Sequence, residues 1–166
     1  MDITIRRIEP EEHVALGRLT AHAYLDGGLL DLGEDDPYLE VLRDVASRDA
    51  HAEVHVAVDE RNTLLGGVTF VPAAGPFADI AGPGEAEFRM LAVDAGARGR
   101  GAGEALVRTC VERARAVPGC VRLVLSTQPM MYAAHRLYDR LGFVRTPERD
   151  WSPIPAVPLL TYALEL

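Results

Sequence analysis

The stretch from residue 85 to residue 127 constrains the fold more than any other. "EAEFRMLAV" reads as a strand, and it runs directly into the glycine-rich turn "DAGARGRGAG". Leu106, Val107, Cys110, Val111 and Ala114 then mark one face of a helix that should end near "VPG". "VRLVLST", mostly apolar, reads as a central strand. Strand, turn, helix and strand in that order imply a right-handed crossover, which makes the two strands parallel. The turn also poses a chemical question. Glycine lets a backbone approach something closely, and a helix start offers unpaired N–H groups that suit an anion. A phosphate cradle is the first expectation.

The rest of the chain supplies the remaining layers. "ITIRRI" alternates as a first strand, and "EPEEHVALGRL" reads as a helix with Pro10 in its first turn. After the loop "DGGLLDLGEDD", the spacing of Tyr38, Val41, Leu42 and Val45 predicts one helix from about Pro37 to Ser47. Val54, Val56 and Val58 alternate as a strand, "RNT" turns the chain, and "LLGGVTFV" returns antiparallel to it. "PAAGPFADIAGPG" is a loop by its proline and glycine density. Ala134, Leu137, Tyr138 and Leu141 fall at helical spacing, with Gly142 as the C-terminal cap. "FVRTPERDW" and "LLTYALEL" supply two closing strands around a proline-spaced turn. The order suits an α/β or α+β sheet with helices on both faces.

Composition excludes several classes. A chain of 166 residues accommodates one well-cored domain, so residues 1–166 are expected to form one. No stretch approaches the roughly 18 apolar residues of a membrane span, and the N-terminus lacks a signal-like apolar run. The expectation is a cytoplasmic protein with no membrane partner. Cys110 and Cys120 lack zinc-like histidine spacing and read as packing thiols, so no metal is expected. A net charge of −8 argues against nucleic acid, yet its distribution is uneven. From Asp26 to Glu60, eleven acidic residues face only Arg43 and Arg48, a balance of −9. From Arg98 to Arg145, nine arginines face Glu104, Glu112 and Asp139, a balance of +6. One half suits an anion and the other a cation.

The glycine turn fits neither familiar phosphate motif. Counting from Gly99 and Gly101, the third glycine of a dinucleotide fingerprint is replaced by Glu104, and no Gly-Lys-Ser/Thr follows for a P-loop. What remains is R-x-x-G-x-G at Arg98, Gly101 and Gly103, following "RMLAV". Some thirty residues later comes "AHRLYDRLGF", of the form A-x-x-L-Y-x-x-x-G-F. The two motifs, in this order and separated by one helix and one strand, resemble those of the GNAT superfamily of acyl-CoA-dependent N-acyltransferases. The resemblance covers residues 1–166 in element order and about 85–145 in motif detail. It implies the GNAT fold, a mixed central sheet of about seven strands flanked by about four helices.

The resemblance also implies a chemistry. The donor would be acetyl-CoA, its pyrophosphate held by the backbone of Arg98, Gly99, Arg100, Gly101, Ala102 and Gly103 and by the positive end of the following helix. The thioester carbonyl would pair with the backbone of Leu91, Ala92 and Val93. Met131 stands where the family usually carries an asparagine, which changes one contact to the pantetheine arm. Glu87 matches the family's general base, with Glu85 an equally available carboxylate and a solvent-facing strand position as the plain alternative. Tyr138 matches the general acid to the coenzyme A sulfur; its plain alternative is core packing. Among the histidines, His51 and His55 are expected in a loop and a strand, which breaks metal spacing, while His135 lies beside the helix face of Tyr138.

Direct attack of a primary amine on the thioester, without a covalent acyl-enzyme, is the implied reaction. The acidic segment with Asp31, Glu34, Asp35 and Asp36 favours a small cationic amine acceptor. Competing readings are a protein N-terminus or lysine as acceptor, and a regulatory domain that binds acyl-CoA without turnover; retention of Glu87 and Tyr138 disfavours the latter. The apolar end "PLLTYALEL" suggests an interface strand for a homodimer.

Overall fold

A computed structural model describes residues 2–166. Its residues group into two compact units, 2–70 with Met90–Cys110, and Val71–Arg89 with Val111–Leu166. Strand β4 (Glu85–Val93) and helix α4 (Ala102–Ala116) run from one unit into the other.

The first unit begins with β1 (Thr4–Arg7), a 3-10 turn at Pro10–Glu12 and α1 (His13–Asp26). α2 (Tyr38–Arg43), α3 (Val45–His51), β2 (Glu53–Val58) and β3 (Leu64–Val71) follow. β1 and β2 pair antiparallel from Thr4↔Val58 to Arg7↔His55, and β2 and β3 from Glu53↔Phe70 to Val58↔Leu64. The alternating valines do what their spacing predicts, since Val54, Val56 and Val58 join Ile8, Leu16 and Val45 in one buried cluster. Ala21, Leu39, Leu42 and Met90 form a second. The single helix predicted over 37–47 is instead two. Asp44 leaves helical geometry (φ −82°, ψ 63°), and its side chain accepts a hydrogen bond from the Ser47 N–H as the cap of α3. The Arg48 guanidinium then donates to the Val41 and Leu42 carbonyls at 2.7 and 3.1 Å, which satisfies the end of α2.

The second unit contains the first half of β4, β5 (Arg122–Thr127), α5 (Tyr132–Arg140), β6 (Val144–Arg145), β7 (Trp151–Ile154) and β8 (Val157–Glu165). β4 and β5 are parallel, as the crossover requires, from Glu85↔Arg122 to Glu87↔Val124. The hydrogen-bonded strand order is β1-β2-β3-β4-β5-β8-β6, with β7 on β8. There are thus eight strands and five α-helices among the described residues, where about seven and about four are expected. The extra strand, β7, takes only Trp151 from "FVRTPERDW" and otherwise occupies the stretch read as a proline-spaced turn. After β6 the chain makes a 3-10 turn at Pro147–Arg149, and only then starts β7. Asp150 forces the break. It accepts from both terminal nitrogens of Arg145 at 2.8 Å and from the Thr161 N–H at 2.9 Å, drawing the segment away from strand geometry.

The segment "PLLTYALEL" lies inside the sheet. β8 is hydrogen-bonded to β5 along one side and to β6 and β7 along the other. Nearby, the Trp151 indole N–H donates to Ser126 Oγ on β5 at 3.0 Å. Among the described residues no helix is long and apolar enough to cross a membrane.

Candidate active site

In the first unit, β4 ends in an irregular stretch. Met90 has φ +56°, a left-handed conformation that costs a non-glycine residue about 1–3 kcal/mol. The ladder to β5 closes at Glu87↔Val124, before that point. Beyond it the strand faces β3: the Asp94 N–H donates to the Leu65 carbonyl at 2.8 Å, and the Ala92 carbonyl lies 2.5 Å from where a Cβ on Gly66 would stand. Only glycine admits that approach. Since backbone groups alternate along a strand, those of Leu91 and Val93 point away from β3.

The glycine turn follows. Asp94 accepts from the Gly96 N–H and starts a 3-10 turn at Ala95–Ala97, with Ala97 buried beneath it. Gly99 and Gly101 adopt φ of +79° and +86°, and a Cβ at either would meet nothing within 4 Å. The turn therefore presents an open backbone surface. Ala102 begins α4, whose first N–H groups lack intrahelical acceptors and carry partial positive charge. Gly103 lies inside the first turn of that helix. Arg98 is exposed, and Arg100 is half-buried within electrostatic reach of Asp59. The Asp59 carboxyl is held below its ordinary range mainly by the Thr63 N–H, with Arg100 adding to the effect.

In the second unit, Glu85, Glu87 and Arg89 share one face of β4 by alternation, and the segment 77–82 is strapped to all three. Glu87 is fully buried, at 0% exposure, which removes the solvent-facing reading. Its Oε1 accepts from the N–H groups of Asp79, Ile80 and Ala81 at 3.0, 2.9 and 3.0 Å, whereas the buried Oε2 has no hydrogen-bond partner. Burial pushes the Glu87 carboxyl above its ordinary range, against the opposing pull of the amides. Arg89 donates to the Phe77 carbonyl and pairs with Asp79 at 3.1 Å.

Glu85 differs from Glu87 above all in its partners. Its carboxylate meets Arg149 at 2.8 Å, Arg122 at 2.9 Å and the Gly82 N–H at 3.0 Å. The Arg149 hydrogen bond is the largest cause of its depression to about 2. A carboxylate so committed is a poor proton acceptor, which separates the two glutamates the sequence left equivalent. Because its folded-state value lies below the unfolded one, Glu85 stabilises the fold above pH 4.5 and loses that contribution as pH falls toward 2. The depression corresponds to about 3 kcal/mol. Urea midpoints at pH 6 and pH 3 should therefore fall less far apart in Arg149→Met than in the wild type; an equal fall would remove Glu85 from the acid response.

Tyr138 sits on α5 at 2% exposure, its ring 5.6–5.9 Å from those of Phe88, Phe143 and Tyr162. Phe88 follows Glu87 along β4 and so faces the other side of the strand, and Tyr138 belongs to that side. Met131 caps α5, and its sulfur accepts from Thr127 Oγ1 at 3.4 Å. His135 Nε2 lies 3.0 Å from the Gln128 carbonyl and 3.3 Å from Thr127 Oγ1. His51, expected in a loop, ends α3 instead, with Nδ1 on the Ser47 carbonyl, while His55 pairs with Glu53. No group of three or more His, Cys, Asp or Glu among the described residues is placed to hold a metal ion. Segment 79–81 and its anchors Arg89 and Arg149 were missed as site residues in the sequence. The signal was present: three charged side chains on one face of a central strand must find partners when buried.

Comparison with solved structures agrees with this architecture. A GNAT-family acetyltransferase from Staphylococcus aureus Mu50 superposes with a TM-score of 0.75 at 15% identity, 99% of each chain being covered. Ribosomal-protein-alanine N-acetyltransferase from Brucella melitensis gives 0.74 at 22% identity, covering 98% of this chain and 99% of that one. YncA of Salmonella typhimurium, solved with its cofactor acetyl-CoA, gives 0.71 at 20% identity over 100% and 95%. No curated protein matches the chain in sequence. These likenesses define the class by its fold, that of the N-acetyltransferases. The sequence model of the acetyltransferase (GNAT) family matches residues 20–143, and the chain belongs to that family. It is an acetyltransferase of that family, and the Salmonella neighbour holds acetyl-CoA as its donor. The open left-handed turn at Gly99 and Gly101, the start of α4 and the outward backbone of Leu91 and Val93 fit such a donor.

Proposed function

We propose that the protein transfers an acetyl group from acetyl-CoA to the primary amine of a small cationic acceptor, by direct attack in a ternary complex. Bound acetyl-CoA supplies an activated carbonyl and a thiolate leaving group. The backbone of residues 98–103 holds its pyrophosphate, and that of residues 91–93 orients the acyl arm, with Met131 giving an apolar contact where the family usually has an amide. As the C–N bond forms and the C–S bond breaks, Glu87 takes the amine proton at Oε2 through one bridging water, and the Tyr138 hydroxyl gives its proton to the departing sulfur. The observation that carries this reading is the Glu87 carboxylate, buried on β4 with one oxygen unpartnered and its proton affinity raised.

Release of coenzyme A thiol, followed over a panel of polyamines, aminosugars, lysine peptides and a peptide with a free alanine N-terminus, tests the reaction and ranks the acceptors. Turnover confined to peptides would replace the small-amine reading. Binding without turnover across the panel would favour a regulatory acyl-CoA-binding domain.

The cationic preference rests on the acidic segment. Asp31, Glu34 and Asp35 are exposed, whereas Asp36 is committed to its own loop, accepting from the Leu32 and Tyr38 N–H groups at 3.2 and 2.9 Å. Changing the three exposed carboxylates to amides should lower kcat/KM for a cationic amine and flatten its dependence on ionic strength. Parallel salt dependence in variant and wild type would reduce the segment to a solvated loop.

A further inference from the structure

We propose that the backbone of residues 79–81 is a positioning element for the base: its three N–H groups hold Glu87 Oε1, and Oε2 alone is left to receive a proton. The inference rests on the reading of Glu87 as base, and extends it to groups that no motif contains. Three successive amides converge on a single oxygen within 3.0 Å. Such a concave run of N–H groups binds anions, and here the anion is the chain's own carboxylate. The other oxygen, equally buried, is unpartnered, so the two oxygens of one carboxylate are chemically distinct.

The segment does not depend on Glu87 alone for its shape. Arg149 donates to the Ile80 carbonyl at 2.9 Å, Glu85 accepts from the Gly82 N–H, and Arg89 holds the Phe77 carbonyl and the Asp79 carboxylate. The charged groups acting on Glu87 are Asp79, which favours its protonation, and Arg89 and Arg149, which favour its ionisation. The segment thus brings a fixed set of donors to one oxygen of the base and none to the other.

The test is an NMR titration of the full-length protein. The Glu87 carboxyl carbon and the Asp79, Ile80 and Ala81 amide resonances should change with one common midpoint, since all four report the same protonation. Amides that follow the Asp79 carboxyl instead, or that do not titrate, would overturn the proposal. Replacing Ala81 by its α-hydroxy acid deletes one N–H and leaves every side chain in place. It should raise the Glu87 midpoint by about one pH unit, the acid limb of kcat/KM moving with it. An unmoved carboxyl midpoint in that variant also overturns the proposal. Failure of the base reading looks different: Glu87→Gln would keep the wild-type acid limb, while the common midpoint in the wild-type titration would stand.

Discussion

Tyr138→Phe protein should bind acetyl-CoA as tightly as the wild type and turn over about 10² to 10⁴ times more slowly, the usual consequence of deleting a general acid. The substitution is unusually clean. The Tyr138 ring contacts Phe88, Phe143 and Tyr162, and a phenylalanine keeps all three contacts and the apolar face of α5. Only the hydroxyl is lost. Calorimetric binding together with single-turnover rates separates the effects, because packing damage would weaken the fold and the donor affinity together. A wild-type rate in a protein of wild-type stability would confine Tyr138 to packing. Tyr138→Ala could not decide the matter, since emptying a site 2% exposed costs about 3–5 kcal/mol of stability by itself.

Gly101→Val should lose acetyl-CoA binding by about a hundredfold or more while the protein remains folded. Gly101 has φ +86°, and a Cβ there would project into open space, so the added side chain meets no protein atom within 4 Å. Its effects are two. The left-handed conformation becomes strained by about 1–2 kcal/mol, and the face of the backbone that should meet the pyrophosphate is covered. Losing two charge-assisted hydrogen bonds at about 1.5 kcal/mol each accounts for the hundredfold figure. Calorimetry with acetyl-CoA is the measurement, with thermal unfolding as control. Unchanged affinity would take the glycine turn out of the donor site. Gly103→Val makes a useful companion, because Gly103 lies within α4 and its substitution leaves the turn conformation alone.

The elements legible in the sequence are those whose signal is local and punctuated. β3 and β4 occupy the runs "LLGGVTFV" and "EAEFRMLAV", which are bounded by turn residues, and the α4 face from Leu106 to Ala114 is buried as its spacing requires. The turn after β4 was legible for the same reason, since its left-handed conformations fall at Gly99 and Gly101. The break at Asp44 was not. Tyr38, Val41, Leu42 and Val45 keep helical spacing across it, and only the capping bond to Ser47 and the reach of Arg48 end one helix and start the next. The depth of Glu87 was hidden as well. Alternation told which residues share its face, but the cover over that face comes from the segment 77–82, whose proline and glycine content says "loop" and nothing about where it lies. Glu85 and Glu87 looked equivalent in the sequence because what separates them, Arg149, is more than sixty residues away.

The bond from the Trp151 indole to Ser126 has a practical use. Trp151 is the chain's one tryptophan, and it lies in the unit formed by Val71–Arg89 and Val111–Leu166. Its fluorescence during denaturant unfolding therefore reports that unit, whereas far-ultraviolet circular dichroism averages over the helices and strands of both. Superimposed curves would describe one cooperative folding block; a fluorescence transition at a different denaturant concentration would describe two. The emission of one side chain thus gives a direct reading of how far folding cooperativity extends along this chain, with no label introduced.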